Sequence, residues 1–241
     1  MTDAHCHVSC GDSSVRELLI GRDFFGIHPW ETLPDPTPTL IDSTTTLIDS
    51  TTTLVDPNLQ EHLASLRSKL LANPNAGVGE IGLDRLKVRD IPPLMREVFE
   101  TQLALALELR RPVVLHGAKC WGQVVATLKR MIGGGLATRE ARQAFLFHGF
   151  SRSDGLIPDI VELNGFISVG PAVLNDHAVN YRELVKKIPL DRLLVETDRT
   201  SSSDSPSISD VLAKTADILN ISSAELERIT DENADRFLGV V

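Results

Sequence analysis

Two histidines lie one residue apart near the start of the chain, in DAHCHV at residues 3–8, although the sequence has only 7 histidines. Residues i and i+2 of a β-strand point to the same side, so at a strand end His5 and His7 would direct both imidazoles to one point. Imidazole is a common ligand of Zn²⁺ and other transition metals. The spacing therefore indicates part of a metal site, although two exposed histidines in a frayed terminus fit it equally well.

Further ionisable side chains lie at or near the ends of short apolar runs. They are His28 in DFFGIHPW (23–30), Glu80 and Asp84 in AGVGEIGLD (76–84), His116 in PVVLHG (112–117), His148 in AFLFHGF (144–150), and Glu196 and Asp198 in LLVETD (193–198). Each one alone has an ordinary explanation, such as a hydrogen-bonded rim residue or a helix cap. Their recurrence at successive run ends favours one shared site, whose mixed donors suit Zn²⁺, Mn²⁺ or Mg²⁺.

The elements that must position these residues are predicted to be parallel strands and helices in alternation. The runs above and GFISVG (165–170) are continuously apolar, which is typical of strands buried on both faces. Helical patterns separate them at 94–110, 121–132, 180–188 and 222–238. An open sheet and a closed barrel both fit this order. A TIM-like (β/α) barrel is favoured because barrel enzymes gather chemistry at the carboxyl ends of all strands.

Composition restricts the class of protein further. The 241 residues suit a single domain over residues 1–241, and the net charge of −9 argues against a broadly basic surface. The 3 cysteines show no paired framework, which is typical of a reducing compartment. An N-terminal signal segment and a membrane-spanning run are not found in the sequence. We expect a cytoplasmic protein, or a nuclear one in a eukaryote, that does not bind membranes.

One segment departs from this pattern. TLIDSTTTLIDSTTTLVD (39–56) repeats a seven-residue unit of Thr, Ser and Asp that is too short and too polar for a coiled coil. It predicts a flexible, low-complexity loop insertion at about 37–57. A lid over the site is the functional alternative, because the loop follows the end of a barrel strand.

Six motifs, taken in order, resemble a known family. DAHCH, GIHPW, GEIGLD, PVVLHG, FHGFS and LLVETD, between residues 3 and 198, are similar to the motif series of the TatD family of metal-dependent hydrolases and deoxyribonucleases. The resemblance implies two divalent cations at the carboxyl mouth of the barrel. By position, it implies that His5, His7 and Asp198 bind one cation, that His116 and His148 bind the other, and that Glu80 bridges the two.

The resemblance also implies the reaction. Two cations about 3.5–4 Å apart can activate a water and hold the attacking and leaving oxygens of a phosphodiester. Asp198 would hold that water and accept its proton, and Glu80 would serve catalysis as the bridge. His28 is predicted to face the substrate, with a hydrogen-bonded rim residue as the alternative. Glu196 is predicted to orient a histidine rather than to bind metal.

The chain departs from the family near its start. His7 and His28 are 21 positions apart, where family members have a helix, a strand and another helix. This interval has room only for a short helix near SSVRELL (13–19), since a βα crossover takes about a dozen residues. Seven strands are therefore predicted, and the barrel is expected to be incomplete or distorted, with one N-terminal strand–helix unit missing.

A second departure concerns the cations beside the predicted metals. Where the family often has an arginine two residues after the fifth-strand histidine, this chain has Ala118 and then Lys119. Lys119, Arg85 and Arg152 are predicted to contact an anionic substrate as charges at the mouth. Ordinary solvated loop charge is the alternative explanation for them.

Three functions remain open on these grounds. The favoured one is a deoxyribonuclease that trims 3′ or 5′ ends of single-stranded or frayed DNA, because a recessed mouth admits a strand more readily than a duplex. A hydrolase of small amides, esters or phosphoesters could use the same ligands, and an aromatic content of 5% offers few stacking surfaces for bases. A catalytically weak interaction protein is the third. Nucleotide release and metal stoichiometry discriminate among them.

Overall fold

The computed structural model describes residues 1–33, 57–132, 143–201 and 206–240. These residues contain eight strands, and all the strand pairs are parallel. The strands are β1 (Thr2–Cys6), β2 (Arg16–Leu19), β3 (Phe24–Phe25), β4 (Gly77–Asp84), β5 (Val113–Ala118), β6 (Phe145–Phe147), β7 (Gly165–Val169) and β8 (Leu193–Val195). Five of the predicted apolar runs coincide with β4 to β8, and the start of the 23–30 run coincides with β3.

The described residues also contain seven α-helices. They are α1 (Pro57–Ala72), α2 (Pro93–Leu109), α3 (Trp121–Ile132), α4 (Ile157–Glu162), α5 (Val179–Val185), α6 (Ile208–Leu219) and α7 (Ser223–Leu238). The predictions at 94–110, 121–132, 180–188 and 222–238 are confirmed by α2, α3, α5 and α7. The start of α7 is defined as the sequence suggests, because the Ser222 side chain accepts a hydrogen bond from Glu225 N.

The strands follow one another around a barrel in chain order. β3 to β8 form one six-stranded sheet, and β1 and β2 form a two-stranded sheet. A single parallel bridge between Ile20 and Phe24 joins β2 to β3. On the other side, Asp198 N donates to His5 O at 3.0 Å and His7 N donates to Arg199 O at 2.8 Å, which places the end of β8 beside β1. The predicted α/β barrel is confirmed, in a distorted form.

The origin of the distortion differs from the prediction. Arg16–Leu19, expected to be part of a short helix, is the strand β2, whose Arg16 pairs with Thr2 of β1. The expectation of a missing strand was therefore wrong. The connections from β1 to β2 and from β2 to β3 lack helices instead, since residues 7–15 and 20–23 form none. Side chains hold the short connection instead, because the Glu17 carboxylate accepts hydrogen bonds from Ser9 Oγ and Cys10 N, both at 2.5 Å.

An apolar layer fills the barrel below the polar mouth. It contains Val114, Leu146 and Leu194, which lie two positions before His116, His148 and Glu196 and therefore share their faces of the strands. Phe24, Phe166 and Phe237 of α7 belong to the same cluster, and the Phe24 and Phe237 rings stack with centroids 5.8 Å apart. The alternate strand residues pack against the helices in a second, larger cluster. This packing fixes the strand ends that carry the site.

The predicted insertion and the predicted domain organisation have different outcomes. The low-complexity insertion at about 37–57 falls almost entirely outside the described residues, which resume at Pro57 with α1. The single-domain assignment over residues 1–241 stays a prediction. Within the described ranges, the helices are all too short or too polar to cross a membrane.

Candidate metal centre

The predicted ligands all lie on the carboxyl side of the barrel. His5 is in β1, Glu80 in β4 and His116 in β5, whereas His148 follows β6 directly. Asp198 lies three residues after β8, in a left-handed backbone conformation with φ of 49°. Parallel strands in a barrel bring these ends to one mouth. The structure thus brings together the six residues that the motifs predict.

The first cluster has the spacing of ligands around one cation. The Nε2 atom of His5 lies 3.6 Å from Glu80 Oε2 and 3.5 Å from Asp198 Oδ1. The Nε2 atom of His7 lies 3.5 Å and 3.6 Å from the same two oxygens. These distances are long for hydrogen bonds. Two donors of a tetrahedral cation, each about 2.0–2.2 Å from the metal, lie about 3.4 Å apart, so the four distances between the histidines and the carboxylates match the spacing of such donors.

His5 provides a second test of that fit. Its side chain is fully buried, and both ring nitrogens lack a hydrogen-bond partner. Buried polar atoms are nearly always paired, because leaving one unpaired costs the full desolvation penalty. A cation between His5 and the two carboxylates would satisfy Nε2. The donor set of two imidazoles and two carboxylates suits Zn²⁺ or Mn²⁺.

The second cluster gathers around the other oxygen of Glu80. Oε1 is hydrogen-bonded to His116 Nδ1, lies 2.8 Å from His148 Nε2 and lies 3.7 Å from His28 Nε2. His148 also stacks on His5, with ring centroids 4.0 Å apart. The Glu80 carboxylate thus lies between the two groups of histidines, and its role as a bridge stays a prediction. His28, predicted to face substrate, lies close enough to Glu80 and His116 to form a possible ligand group with them.

Two further carboxylates contact the ring nitrogens of the second cluster. Glu196 Oε1 lies 3.5 Å from His148 Nδ1, and the Glu196 carboxylate accepts hydrogen bonds from Gly149 N and Ser168 Oγ. Glu196 thus lies beside a histidine, and its role in orienting that ring stays a prediction. Asp84, which sequence reasoning left without a role, accepts a hydrogen bond from His116 Nε2 at 2.8 Å. In the sequence, only the position of Asp84 at the end of the GEIGLD motif indicates that it could lie at the site.

Burial and neighbouring charges give the site residues distinct protonation states. Burial raises the pKa of Glu80, but the charge of His148 and the contacts with His116, His148 and His28 outweigh burial and hold this pKa well below its usual range. Burial, together with the nearby His148, lowers the pKa of His5. Burial also lowers the pKa of His148, but Glu80 and Glu196 outweigh it and raise the pKa well above its usual value. These directions favour an anionic Glu80 and a neutral His5, the forms in which both can bind a cation, whereas a cation at His148 would have to displace the proton that Glu80 and Glu196 stabilise.

The predicted substrate cations lie in the loops around the mouth. Arg85, Lys119 and Arg152 are all exposed. Arg85 N donates to Ala118 O at 2.9 Å, so Arg85 and Lys119 follow adjacent strand ends, and the Arg85 guanidinium donates to Arg89 O at 3.1 Å. All three residues follow strands whose ends carry the site, β4, β5 and β6, and none of them belongs to the two clusters.

Trp30 is a site residue that sequence reasoning did not single out. It lies in a 3₁₀ helix, Pro29–Thr32, which begins at His28. Its indole Nε1 donates to Asp84 Oδ2 at 2.9 Å, and its ring centroid lies 6.3 Å from that of His116. The GIHPW motif contains this residue, but its position beside the second cluster follows only from the turn of the 3₁₀ helix.

An α/β barrel with imidazoles and carboxylates buried at its carboxyl mouth defines a class, the barrel hydrolases that bind divalent metals. The family model of the TatD related DNases matches residues 21–239, and the chain belongs to this family. The match confirms the family that the six motifs predict.

Individual relatives agree with this assignment. YabD of Bacillus subtilis, named an uncharacterized metal-dependent hydrolase, is 28% identical over 194 residues, which are 75% of this chain and 72% of YabD. The 3′-5′ ssDNA/RNA exonuclease TatD of Klebsiella pneumoniae is 33% identical over 122 residues, 50% of this chain and 44% of that protein. The crystal structure of YjjV, a TatD homolog from Escherichia coli, superposes with a TM-score of 0.62 and 25% identity, covering 76% of this chain and 71% of that one. These names support the predicted class, a metal-dependent hydrolase.

Proposed function

We propose that the protein is a metal-dependent phosphodiesterase that removes nucleotides from the ends of single-stranded or frayed DNA. The observation that carries the proposal is the first cluster, in which His5 and His7 each lie 3.5–3.6 Å from the same oxygens of Glu80 and Asp198. The activity named for the Klebsiella relative supports a nucleic acid as the substrate. The exposed cations around the mouth support an anionic one.

The residues present would hold two cations of Zn²⁺, Mn²⁺ or Mg²⁺. His5, His7 and Asp198 would bind one, His116 and His148 the other, and Glu80 would contribute one oxygen to each. Bound there, such cations lower the pKa of water and neutralise the charge of a phosphodiester. The division of the Glu80 oxygens between two histidine groups supports this assignment.

The side chains around these ligands have separate tasks in the reaction. Asp198 is the carboxylate that solvent reaches, since its side chain is 47% exposed whereas that of Glu80 is 3% exposed. Asp198 would therefore accept the proton of the attacking water. Glu196 and Asp84 would hold the rings of His148 and His116 in place. Arg85, Lys119 and Arg152 would attract the phosphates of the strand.

Labelled oligonucleotides test the proposal. Metal-free protein is mixed with single-stranded and duplex DNA of one sequence, labelled at either end, in the presence of Mg²⁺, Mn²⁺, Zn²⁺ or Co²⁺. We expect cation-dependent release of nucleotides, faster from the single strand. A parallel panel of small esters, amides and phosphomonoesters provides the comparison. Turnover of that panel without nucleotide release under any of the four cations would overturn the proposal in favour of a small-molecule hydrolase.

The cellular location belongs to the same proposal. Cys6 and Cys120 are buried thiols, and Cys10 is a partly exposed one. Three free thiols are typical of a reducing compartment. We place the activity in the cytoplasm, where single-stranded ends would be its substrate.

A further inference from the structure

Trp30 presents an aromatic face to solvent at the mouth. Among the large apolar side chains that are exposed in the described ranges, it is the only aromatic one, with 43% of its surface accessible. The other tryptophan, Trp121, is buried between α3 and the sheet and packs against Phe147 and Phe150. A single exposed apolar side chain is ordinary on a protein surface. It is the position of Trp30, beside Asp84 and His116 of the second cluster, that points to a binding role.

The indole is held in one orientation. Its N–H donates to Asp84 Oδ2, which also accepts from His116 Nε2. The His28 ring meets the indole edge-on, with centroids 4.9 Å apart and planes at 77°. The face of Trp30 is therefore fixed relative to the second cluster, at a distance that one nucleotide can span. A fixed aromatic surface binds a planar ligand at a low entropic cost.

A cation occupies the exposed face. Lys87 Nζ lies 3.6 Å from the centroid of the Trp30 ring. Such a contact between exposed groups is weak, and stacking of a nucleobase on an aromatic ring is generally stronger. A base could therefore take the place of the ammonium, which would remain close to the phosphate of the same nucleotide.

We infer that Trp30 is the stacking platform for a base of the substrate strand, and that Lys87 moves from the ring to the adjacent phosphate when the strand binds. This inference rests on the proposed function and deepens it, since it names how the mouth holds a single strand. Stacking accepts any base because every base has a π-face. Duplex ends would bind poorly, because a paired base already stacks on its neighbours.

Tryptophan fluorescence tests the inference without hydrolysis. The protein, loaded with its cations, is titrated with a single-stranded oligonucleotide whose phosphorothioate linkages slow cleavage. We expect quenching, which reports on Trp30 because Trp121 is buried. A matched oligonucleotide with abasic terminal positions should give no quenching and bind about 10- to 100-fold more weakly, the scale of losing one stacked base. Equal affinity and equal quenching for the two strands would overturn the inference.

Variants separate the ring from its surroundings. Trp30→Leu should abolish the quenching and the preference for bases, and Trp30→Phe should recover part of the affinity through its smaller ring. Leu190→Ala, which truncates an exposed side chain before β8 at the opposite end of the barrel, should leave binding unchanged. If Trp30→Leu retains full discrimination against the abasic strand, stacking occurs elsewhere and the inference is wrong.

Lys87→Gln tests the second half of the inference. It should retain the quenching but reduce the dependence of log Kd on log salt by about one phosphate contact. An unchanged salt dependence would contradict the role of Lys87. The proposed function can fail while the stacking role holds. This would be the outcome if the strand quenches Trp30 fluorescence but no cation supports hydrolysis of ordinary DNA. Base-independent binding with normal hydrolysis would overturn only the stacking role.

Discussion

The Oε1 atom of Glu80 lies 2.8 Å from Nε2 of His148, while its Oε2 atom lies on the side of His5 and His7. The two oxygens of one buried carboxylate thus lie close to two different groups of imidazoles. A bridging carboxylate between two cations neutralises the charge that they share. The two predicted metal sites depend on each other through this residue.

Removing the bridge should therefore affect both sites. Glu80→Ala should lower kcat for DNA hydrolysis by at least about 100-fold and should reduce the occupancy of both cations. Metal content by elemental analysis and steady-state kinetics check this together. Glu61→Ala, which removes an exposed carboxylate from α1, is the matched control and should change neither. Normal turnover with both cations bound in Glu80→Ala would show that Glu80 is not the bridge.

Acidification should empty the two sites in a defined order. Burial opposes charging of His116 and His148, but neighbouring carboxylates outweigh it and raise both pKa values, so these rings retain a proton at higher pH. The pKa of His5 is lowered, so His5 stays neutral to lower pH. Because protons compete with cations for the imidazoles, the second site should lose its cation first as the pH falls.

Metal content measured between about pH 8 and pH 5 checks this order, since unperturbed histidine titrates near 6.5. His7→Ala, which weakens the first site, should remove the cation that wild-type protein retains at the lower pH. Loss of the two cations in a single step, or earlier loss from the His5 site, would contradict the assignment.

Parts of this site could be predicted from sequence, and parts could not. The six strand-end motifs were sufficient to name the residues that cluster at the mouth, because parallel strands of a barrel bring their carboxyl ends together. RELL at 16–19 suits a helix as well as a strand, and only its pairing with β1 decides. The contacts of Asp84 with His116 and Trp30 depend on how the 3₁₀ helix at 29–32 turns back over β4, which no local pattern encodes.

Lys119 should contribute to the chemical step as well as to binding. It is exposed and directly follows β5, which carries His116. If its ammonium meets a phosphate oxygen that gains charge in the transition state, Lys119→Met should lower kcat/KM for DNA by about 10- to 1000-fold. Metal content should be unchanged. Lys69→Met, on α1, is a control for loss of one exposed charge. Equal kinetics of the two variants would show that Lys119 faces solvent and does not contact the substrate.

The repeat segment should contribute little to stability. Deletion of residues 42–55, which lie outside the described residues, should leave Tm nearly unchanged, since a polar loop buries little surface. Differential scanning calorimetry checks this expectation. A decrease in Tm of more than about 4–8 °C, which exceeds the roughly 2–4 °C that a loss of about 1 kcal/mol produces in a domain of this size, would show that the repeat packs against the barrel.

Six residues at the carboxyl mouth are proposed to hold two divalent cations. Elemental analysis of protein purified without added metal tests this proposal most directly, with His5→Ala and Glu80→Ala prepared in parallel. We expect about two cations per chain in the wild-type protein and clear losses in both variants. Fewer than about one cation per chain in wild-type protein that regains none on dialysis against Zn²⁺ or Mn²⁺ would contradict it.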